Sequence, residues 1–364
     1  AEDGIRDVER SRGLGDVYKR QDLVATAIAA DIVPMEGENR TLTFLGLQQF
    51  QENPRIGLQF FLKTLKKPIK VTDLVFVIAP RINAAGRMDQ GLSAVELLMS
   101  DNLELALPKA RSIDFFNTER RSTDERITVE ALQQIVLNEE TTCFSTVVFH
   151  PSWHKGVIGI VASRLIETYY RPTVVLTESE GVLSGSVRSV SGFDVYQALE
   201  ACSEFMIQFG GHKYAAGLTL KPEQLTGFKQ CFEAYAEAHL LPEQLQPTYS
   251  YDLELQFDAL TPKLYRIINQ MAPFGPKNMR PVFVTHLCKD AGGTRAVGKE
   301  NNHLKLEIID AAGIPFQGIA FGMAQYLIQI KNQQSFSLLY TLEENEYNGI
   351  AFLQLKVKDL VFTP

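Results

Sequence analysis

The stretch Thr146–Glu178, TVVFHPSWHKGVIGIVASRLIETYYRPTVVLTE, decides how the middle of this chain must fold. Thr146–Phe149 is a short β-branched run and reads as a strand. Val157–Tyr169 carries apolar residues at helical spacing, and Thr173–Leu176 is a second buried strand. Strand, helix and strand in that order imply a βαβ unit with a parallel pair. His154 and Lys155 stand in the loop just before the helix. Helix N-termini are electropositive, which makes that loop a common place for an anion; a histidine there also serves as a cap.

The same domain continues through Gly181–Gly217, GVLSGSVRSVSGFDVYQALEACSEFMIQFGGHKYAAG. An apolar run gives way to small residues and then to Ser186, Arg188 and Ser189. A helix-like segment covers Val195–Phe209. Gly210-Gly211-His212 follows, read as a turn, with Ala215-Ala216-Gly217 behind it. Adjacent glycines let a backbone come very close to a ligand, and successive amides in such a turn can form an anion-binding nest. Arg188 adds a forked cation suited to phosphate, and Ser186 adds a hydroxyl donor. On the residues alone two readings stay open: a phosphate pocket, or a Gly-Gly helix cap beside a solvated arginine.

Upstream, residues 1–21 (AEDGIRDVERSRGLGDVYKRQ) are polar and show no sustained period, so they are expected to be a non-native or disordered tail. From Asp22, DLVATAIAADIVPM reads as a buried helix or strand end closed by Pro34, and Leu42–Phe50 shows helical spacing. Asp31 ends an alanine-rich run. A carboxylate there is a helix cap or is bound to a cation, because a buried charge is otherwise expensive. Leu74–Ile78 is apolar and leads into APRINAAGRM, where Arg81, Asn83 and Arg87 surround Ala84, Ala85 and Gly86. Tight helix packing with surface arginines and a close-approach anion site fit this block equally. Leu103–Leu137 reads as one long helix or two, with Asn117, Arg120, Arg121 and Glu125 on a polar face, as suits a connector between domains. Pro108 is expected to mark its first turn or a kink.

Beyond the linker-like Pro242–Thr248 the pattern becomes mostly strand: Tyr251–Phe257, Pro281–Leu287, His303–Ile309, Phe316–Phe321, Phe336–Leu342 and Ala351–Val361, with helices only at Thr261–Met271 and Met323–Ile330. Short strands with one or two helices suggest a small barrel of the OB type. Such barrels often bind single strands through aromatics and a basic groove.

A chain of 364 residues implies two or three domains. Its four cysteines, Cys143, Cys202, Cys231 and Cys288, are scattered without a CxxC pair, which argues against structural zinc and fits reduced thiols in a cytoplasm. No apolar run is long enough to span a bilayer, and no signal peptide opens the chain. At a net charge of -7, any phosphate-binding surface must be a local patch on an acidic body.

Six blocks in order carry a specific likeness: DLVATAIAADIVPMEGENR, APRINAAGRM, WHKGVIGIVASRL with YYRP, GSVRS, FGGHKYAAG and MAPFGPKNMRPVF. Together they resemble the RecJ family of single-strand-specific 5′→3′ exonucleases within the DHH phosphoesterase superfamily, from about Asp22 to the C-terminus. The resemblance implies an α/β plus all-β architecture. Residues 22–70 would be the C-terminal remnant of the DHH catalytic domain, and 71–141 the cleft motif and long connecting helices. Residues 142–246 would form the DHH-associated substrate-binding domain, and 247–364 the OB-like single-strand-binding domain. It implies two divalent ions, Mn²⁺ or Mg²⁺, and hydrolysis by two-metal logic in DNA repair and recombination. This sequence holds no Asp-His-His run and no Asp-x-Asp motif, and of the family's metal ligands only Asp31 is matched. One carboxylate cannot hold two such ions, so no complete catalytic set is expected, and the chain by itself is expected to be inactive.

The other blocks map onto substrate. Asn83 and Arg87 resemble the family's phosphate-contacting motif. Ser186 and Arg188, with Gly210, Gly211 and His212, resemble the pocket for a 5′ phosphate. Arg81, His154, Lys155, Ser189 and the Pro273–Pro276 turn are matched less firmly in role. The implied partners are single-stranded DNA, a single-strand-binding protein and a helicase; a cytoplasmic monomer is expected. The alternatives are a phosphodiesterase of the same superfamily acting on short oligonucleotides or cyclic dinucleotides, and a non-catalytic single-strand-binding module.

Overall fold

The computed structural model describes residues 20–63, 65, 68–88, 91–347 and 349–362. Most of the expected tail therefore lies outside the described residues, but Gln21, its last residue, is buried and opens a helix. In chain order come α1 (Gln21–Ala30), α2 (Gly37–Glu52), α3 (Ile56–Leu62), a π-helical turn at Leu74–Ile78, α4 (Ala79–Met88), α5 (Leu92–Leu98) and α6 (Leu103–Leu137). Next are β1 (Thr146–Phe149), α7 (Ile158–Thr168), β2 (Thr173–Ser179), β3 (Val182–Arg188), α8 (Val195–Ala201), β4 (Gln208–His212), β5 (Ala215–Leu220) and α9 (Leu225–His239). Last are β6 (Leu253–Glu254), α10 (Pro262–Gln270), β7 (Phe283–Asp290), β8 (Arg295–Val297), β9 (His303–Ile309), β10 (Pro315–Ala320), α11 (Leu327–Lys331), β11 (Phe336–Tyr347) and β12 (Ile350–Phe362).

The described residues form two compact units. One holds the chain up to Asn53, the stretch ending at Leu74, and everything from Tyr249; the other holds the chain from Pro54 and Val75–Thr248.

The second of these is built on a five-stranded sheet in the order β1-β2-β3-β5-β4. β1 and β2 are parallel, joined by α7, as the βαβ reading requires; the other pairs are antiparallel. Alternation along each strand splits the apolar residues between two cores. Val147, Val174, Leu176, Leu183, Val187, Ala216 and Leu218 pack with Phe228 and Phe232 of α9. Val148 and Val175 face the other way, onto Val157, Val161 and Leu165 at α7 and Ile127, Ala131 and Ile135 of α6.

Two sequence expectations change here. Leu103–Leu137 is one helix, started by the Asn102 side chain accepting from Glu104 N at 2.7 Å. Pro108 falls in its second turn, where it removes a single internal hydrogen bond. Asn117, expected on a polar face, is buried. The expected helix Val195–Phe209 stops at Ala201, and its last residues join strand β4 instead. Pairing with β5 satisfies their backbone (Ile207 N donates to Thr219 O at 2.8 Å), and such tertiary pairing overrides a weak helical preference.

Arg171, from the YYRP block, is a structural clamp. It is buried, and its guanidinium donates to Thr146 Oγ1, Thr141 O, Cys143 O and Glu140 O while lying over the Tyr169 ring. Glu233 of α9 holds the same loop from the other side, accepting from Phe144 N and Ser145 N at 2.8 Å.

In the other unit β7–β11–β12–β10–β9 closes back onto β7. All neighbours are antiparallel except β10 and β12. That is the five-stranded Greek-key barrel of the OB-fold. Its interior is Phe257, Phe283, Leu304, Leu306, Phe336, Leu338, Tyr340 and Leu355. The MAPFGP block docks α1 and α2 to this barrel: Met35 N donates to Pro276 O at 2.7 Å, and Arg40 reaches the carbonyls of Met271 and Ala272.

Replacing Arg171 by Met strands one buried and three partly buried acceptors, so we expect a loss of about 3 kcal/mol, read as an earlier unfolding transition of the sheet unit in denaturant. The barrel has its own acid sensitivity. Burial by itself would raise the Asp290 carboxyl, but hydrogen bonds from Thr294 and Lys331 outweigh it and hold it below the ordinary carboxylate range. A depressed folded-state value adds stability above the unfolded value and forfeits it as pH falls through the folded one. Barrel stability should therefore drop as pH falls below about 4, and Asp290→Asn should flatten that acid limb in a urea-melt series.

Candidate functional site

Arg188 is the last residue of β3 and Ser186 lies two before it, so both side chains point to the face of the sheet that α7 covers. Arg188 Nη1 donates to Ser186 Oγ at 3.0 Å and to Val187 O at 2.8 Å. The first turn of α7 closes over them. A Cβ on Gly159 would stand 2.9 Å from Ser186 Oγ and 3.0 Å from Arg188 Nη2, so only glycine lets helix and guanidinium meet this closely. Gly159 sits where a helix's amides lack an internal acceptor. At Gly156 a Cβ would meet Arg87 O at 2.7 Å; Arg87 Nη1 donates back to Gly156 O at 2.9 Å, and His154 Nδ1 accepts from Gly156 N at 3.1 Å. Burial, and then the neighbouring Arg87 cation, push the Arg188 guanidinium below its usual value. Two crowded cations make a place that an anion would relieve.

The sheet extends this notch sideways. Ser186 lies opposite Gly217, which lies opposite Gly210; Arg188 lies opposite Ala215, which lies opposite His212. Residues paired in this way share a face. With strands about 4.8 Å apart, the Cα atoms of Arg188 and His212 are about 10 Å apart. Gly210, His212, Ala215 and Gly217 are all exposed; nothing lies within 4 Å of a Cβ built at Gly210, and only Gly185 O, at 3.7 Å, near one at Gly217. The result is a flat ledge without side-chain bulk, running from a half-buried arginine to an exposed histidine.

This corrects the sequence reading of the double glycine. Gly210-Gly211 is not a turn that aims amides at an anion; it lies in β4, and Lys213-Tyr214 make the turn. The two glycines also differ. Gly210 keeps the ledge open. Gly211 faces the other way at φ +151°, where a Cβ would press on Ala215 O and Ala216 Cα at 2.5 Å, so it serves the hairpin.

The remaining candidates are scattered in role. Asn83 is exposed on α4. Arg81 is taken up by Asp114 at 2.8 Å, Val77 O and the Phe61 ring. The Ser189 hydroxyl donates to Phe193 O within its own loop, and Lys155 is exposed. Gly156 and Gly159 were missed as site residues; two glycines three apart at the start of a helix that follows a strand were the available signal. Asp31 is exposed at the end of α1, and no group of three or more His, Cys, Asp and Glu among the described residues could hold a metal. The described residues do not fit a two-metal centre.

The barrel carries a second candidate surface. Register aligns Arg295, Lys305, Ile319 and Lys356 in one outward row across β8, β9, β10 and β12. Glu307 and Glu343 stand 3.6 and 3.5 Å from the two end cations. Beside that row His303 meets Phe321 edge-on, with centroids 5.1 Å apart, and Phe321 is 53% exposed.

Comparison with known proteins matches this architecture part by part. The DHHA1 domain family matches residues 140–238, and the RecJ OB domain family matches residues 251–359. The single-stranded-DNA-specific exonuclease RecJ of Bacillus subtilis is 32% identical over 93% of the chain. The chain is a RecJ homologue. Crystal structures of RecJ from Thermus thermophilus in complex with Mg²⁺ and with Mn²⁺ superpose on 95% of it with TM-scores of 0.81 and 0.83 at 26% identity. The chain spans 43% of the Bacillus protein and about half of the Thermus one. Both structural neighbours hold a divalent metal, and no helix among the described residues is long and apolar enough to cross a membrane.

The two glycines of β4 should separate function from folding. Gly210→Val is expected to leave the melting temperature within a few degrees of the parent while weakening binding of a 5′-phosphorylated oligonucleotide about tenfold. Gly211→Val should instead destabilise the sheet unit, visible as an earlier thermal transition.

Proposed function

We propose that this chain supplies the strand-gripping half of a RecJ-type 5′→3′ exonuclease, and that its sheet unit holds the 5′-phosphorylated end of single-stranded DNA. The observation that carries this reading is the ledge: Arg188 and Ser186 at one end, Gly159 above them, and Gly210, Ala215, Gly217 and His212 exposed along it. Arg188 provides a guanidinium for two phosphate oxygens, Ser186 a hydroxyl, and the first turn of α7 a positive dipole end. Small residues along the ledge let a sugar–phosphate backbone lie against the sheet. Contacts of this kind are blind to base identity.

The barrel offers a further surface for the same strand. Phe321 and His303 offer stacking faces, and Arg295, Lys305 and Lys356 attract the backbone, the combination that binds single strands without sequence preference. A surface for a longer strand favours long substrates over the short oligonucleotides or cyclic dinucleotides of the alternative phosphodiesterase reading. Hydrolysis of the terminal phosphodiester, with two Mn²⁺ or Mg²⁺ ions, belongs to carboxylates and histidines other than Asp31. The residues of this chain would bind, orient and present the strand. A single-strand-binding protein and a helicase are the partners this role implies, with the chain acting as a monomer.

Fluorescence anisotropy tests the reading. A 5′-phosphorylated oligothymidylate should bind more tightly than its 5′-hydroxyl counterpart, and Arg188→Ala should abolish that preference. Loss of one phosphate contact should also shrink the slope of log affinity against log salt by about 0.7. Equal affinity for both ends in the parent protein would contradict the proposal. With Mn²⁺ added, the chain by itself should release no nucleotides; steady release in a preparation free of other nucleases would contradict the division of labour.

A further inference from the structure

The inner face of α6 is apolar at both ends and polar in the middle. Ala106, Ala110 and Ile113 are buried on one side and Ile127, Ala131 and Ile135 on the other, but between them the buried positions are Asn117 and Asp124. Asp124 is completely buried. Arg164 Nη2 of α7 pairs with its Oδ2 at 2.8 Å, while its Oδ1 has no hydrogen-bond partner among the described residues. Arg120 lies one turn before Asp124; its Nη2 reaches Asn117 Oδ1 at 3.3 Å, and its buried Nε has no acceptor among the described residues. A helix that only needed to pack would put Leu or Ala at these positions, because buried polar atoms left short of partners are costly.

The charges that face this stripe come from three helices. Arg120 feels Asp124, Arg87 of α4, Arg121 on its own helix and Arg164 of α7; Asp124 feels Arg164, Arg120 and Glu125. Arg87 is also the cation that Arg188 feels. The notch and this stripe share α7: Arg188 meets its first turn at Gly159, Arg87 holds Gly156 O just before it, and Arg164 lies five residues further along it, while Arg121 and Glu125 are exposed on α6. The Arg164 side chain remains 38% exposed, open to a ligand from solvent.

We propose that Arg120 and Arg164 form a second anion subsite, held in position by Asp124 and joined through Arg87 to the Arg188 notch, and that it takes an internucleotide phosphate of the strand whose 5′ phosphate Arg188 holds. This rests on the functional reading above. Asp124 is a positioning residue: it fixes Arg164 and draws Arg120 toward it without touching DNA. The subsite gives the polar stripe of α6 a purpose and makes the long helix part of the binding surface.

The test uses the whole chain and two 5′-phosphorylated oligothymidylates, one natural and one with an uncharged methylphosphonate at the linkage nearest the 5′ end. In the parent protein the uncharged linkage should cost about tenfold in affinity, the worth of one charge-assisted contact. In Arg164→Gln, and in Arg120→Gln with Arg164→Gln, that difference should vanish, while the preference for a 5′ phosphate over a 5′ hydroxyl persists and shows that the fold and the Arg188 notch are intact. Arg164→Lys should keep part of the difference, and Asp124→Asn should reduce it at unchanged 5′-phosphate preference. Equal binding of the two linkages by the parent, or an undiminished difference in the glutamine variants, overturns the subsite and leaves the 5′-phosphate reading standing. No preference for a 5′ phosphate in the parent overturns both.

Discussion

Everything at the site depends on how closely α7 approaches β3. A helix packs on a sheet at a distance set by its side chains, and at Gly159 there is none. The helix therefore settles onto Ser186 and Arg188, and its first turn and the guanidinium occupy one place. The arginine is trapped there: Ser186 Oγ and Val187 O hold its Nη1, burial removes water from it, and Arg87 crowds it with like charge. Such an arrangement is strained electrostatically when empty and relaxed when filled. Arg171 differs: it is buried but fully satisfied by four acceptors and a tyrosine ring.

Under the proposed function, each unit would answer a different demand of a single strand. A phosphorylated end needs a concentrated, oriented donor set, and a strand–helix junction supplies it. A flexible strand beyond that end needs a tolerant surface, which a small barrel supplies by turning alternate residues outward: Leu304 and Leu306 inward, His303 and Lys305 outward. The barrel's closure leaves Tyr340 free to serve the core, where its hydroxyl meets Thr285 at 2.8 Å, and leaves Phe321 for the surface.

Much of this was legible before any coordinates. The parallel pair flanking α7 followed from strand–helix–strand order, and the barrel from short strands broken by turn text. Ser186 and Arg188 stood out as a hydroxyl donor and a forked cation suited to phosphate; that they share one face emerges only once β3 is seen as a strand. Other features could not be read. The double glycine looked like a turn because glycine serves turns and flat sheets equally; only pairing with Ala216 and Gly217 reveals a strand. Asn117 and Arg120 read as a solvated polar face, because a polar residue on a helix face looks the same whether water or another helix lies against it. Exposed and core aromatics of the barrel likewise differ by closure, not by local pattern. The YYRP and MAPFGP blocks, matched by likeness, contribute structure: one clamps a loop and the other docks two helices to the barrel.

A crystal structure of this chain with a 5′-phosphorylated oligothymidylate tests the central claim most directly. The account predicts the terminal phosphate within hydrogen-bond distance of Arg188 and Ser186, beneath Gly159, with the backbone running over Gly217 and Gly210. A strand bound with its 5′ phosphate elsewhere, and the Arg188 notch holding only water, would contradict it.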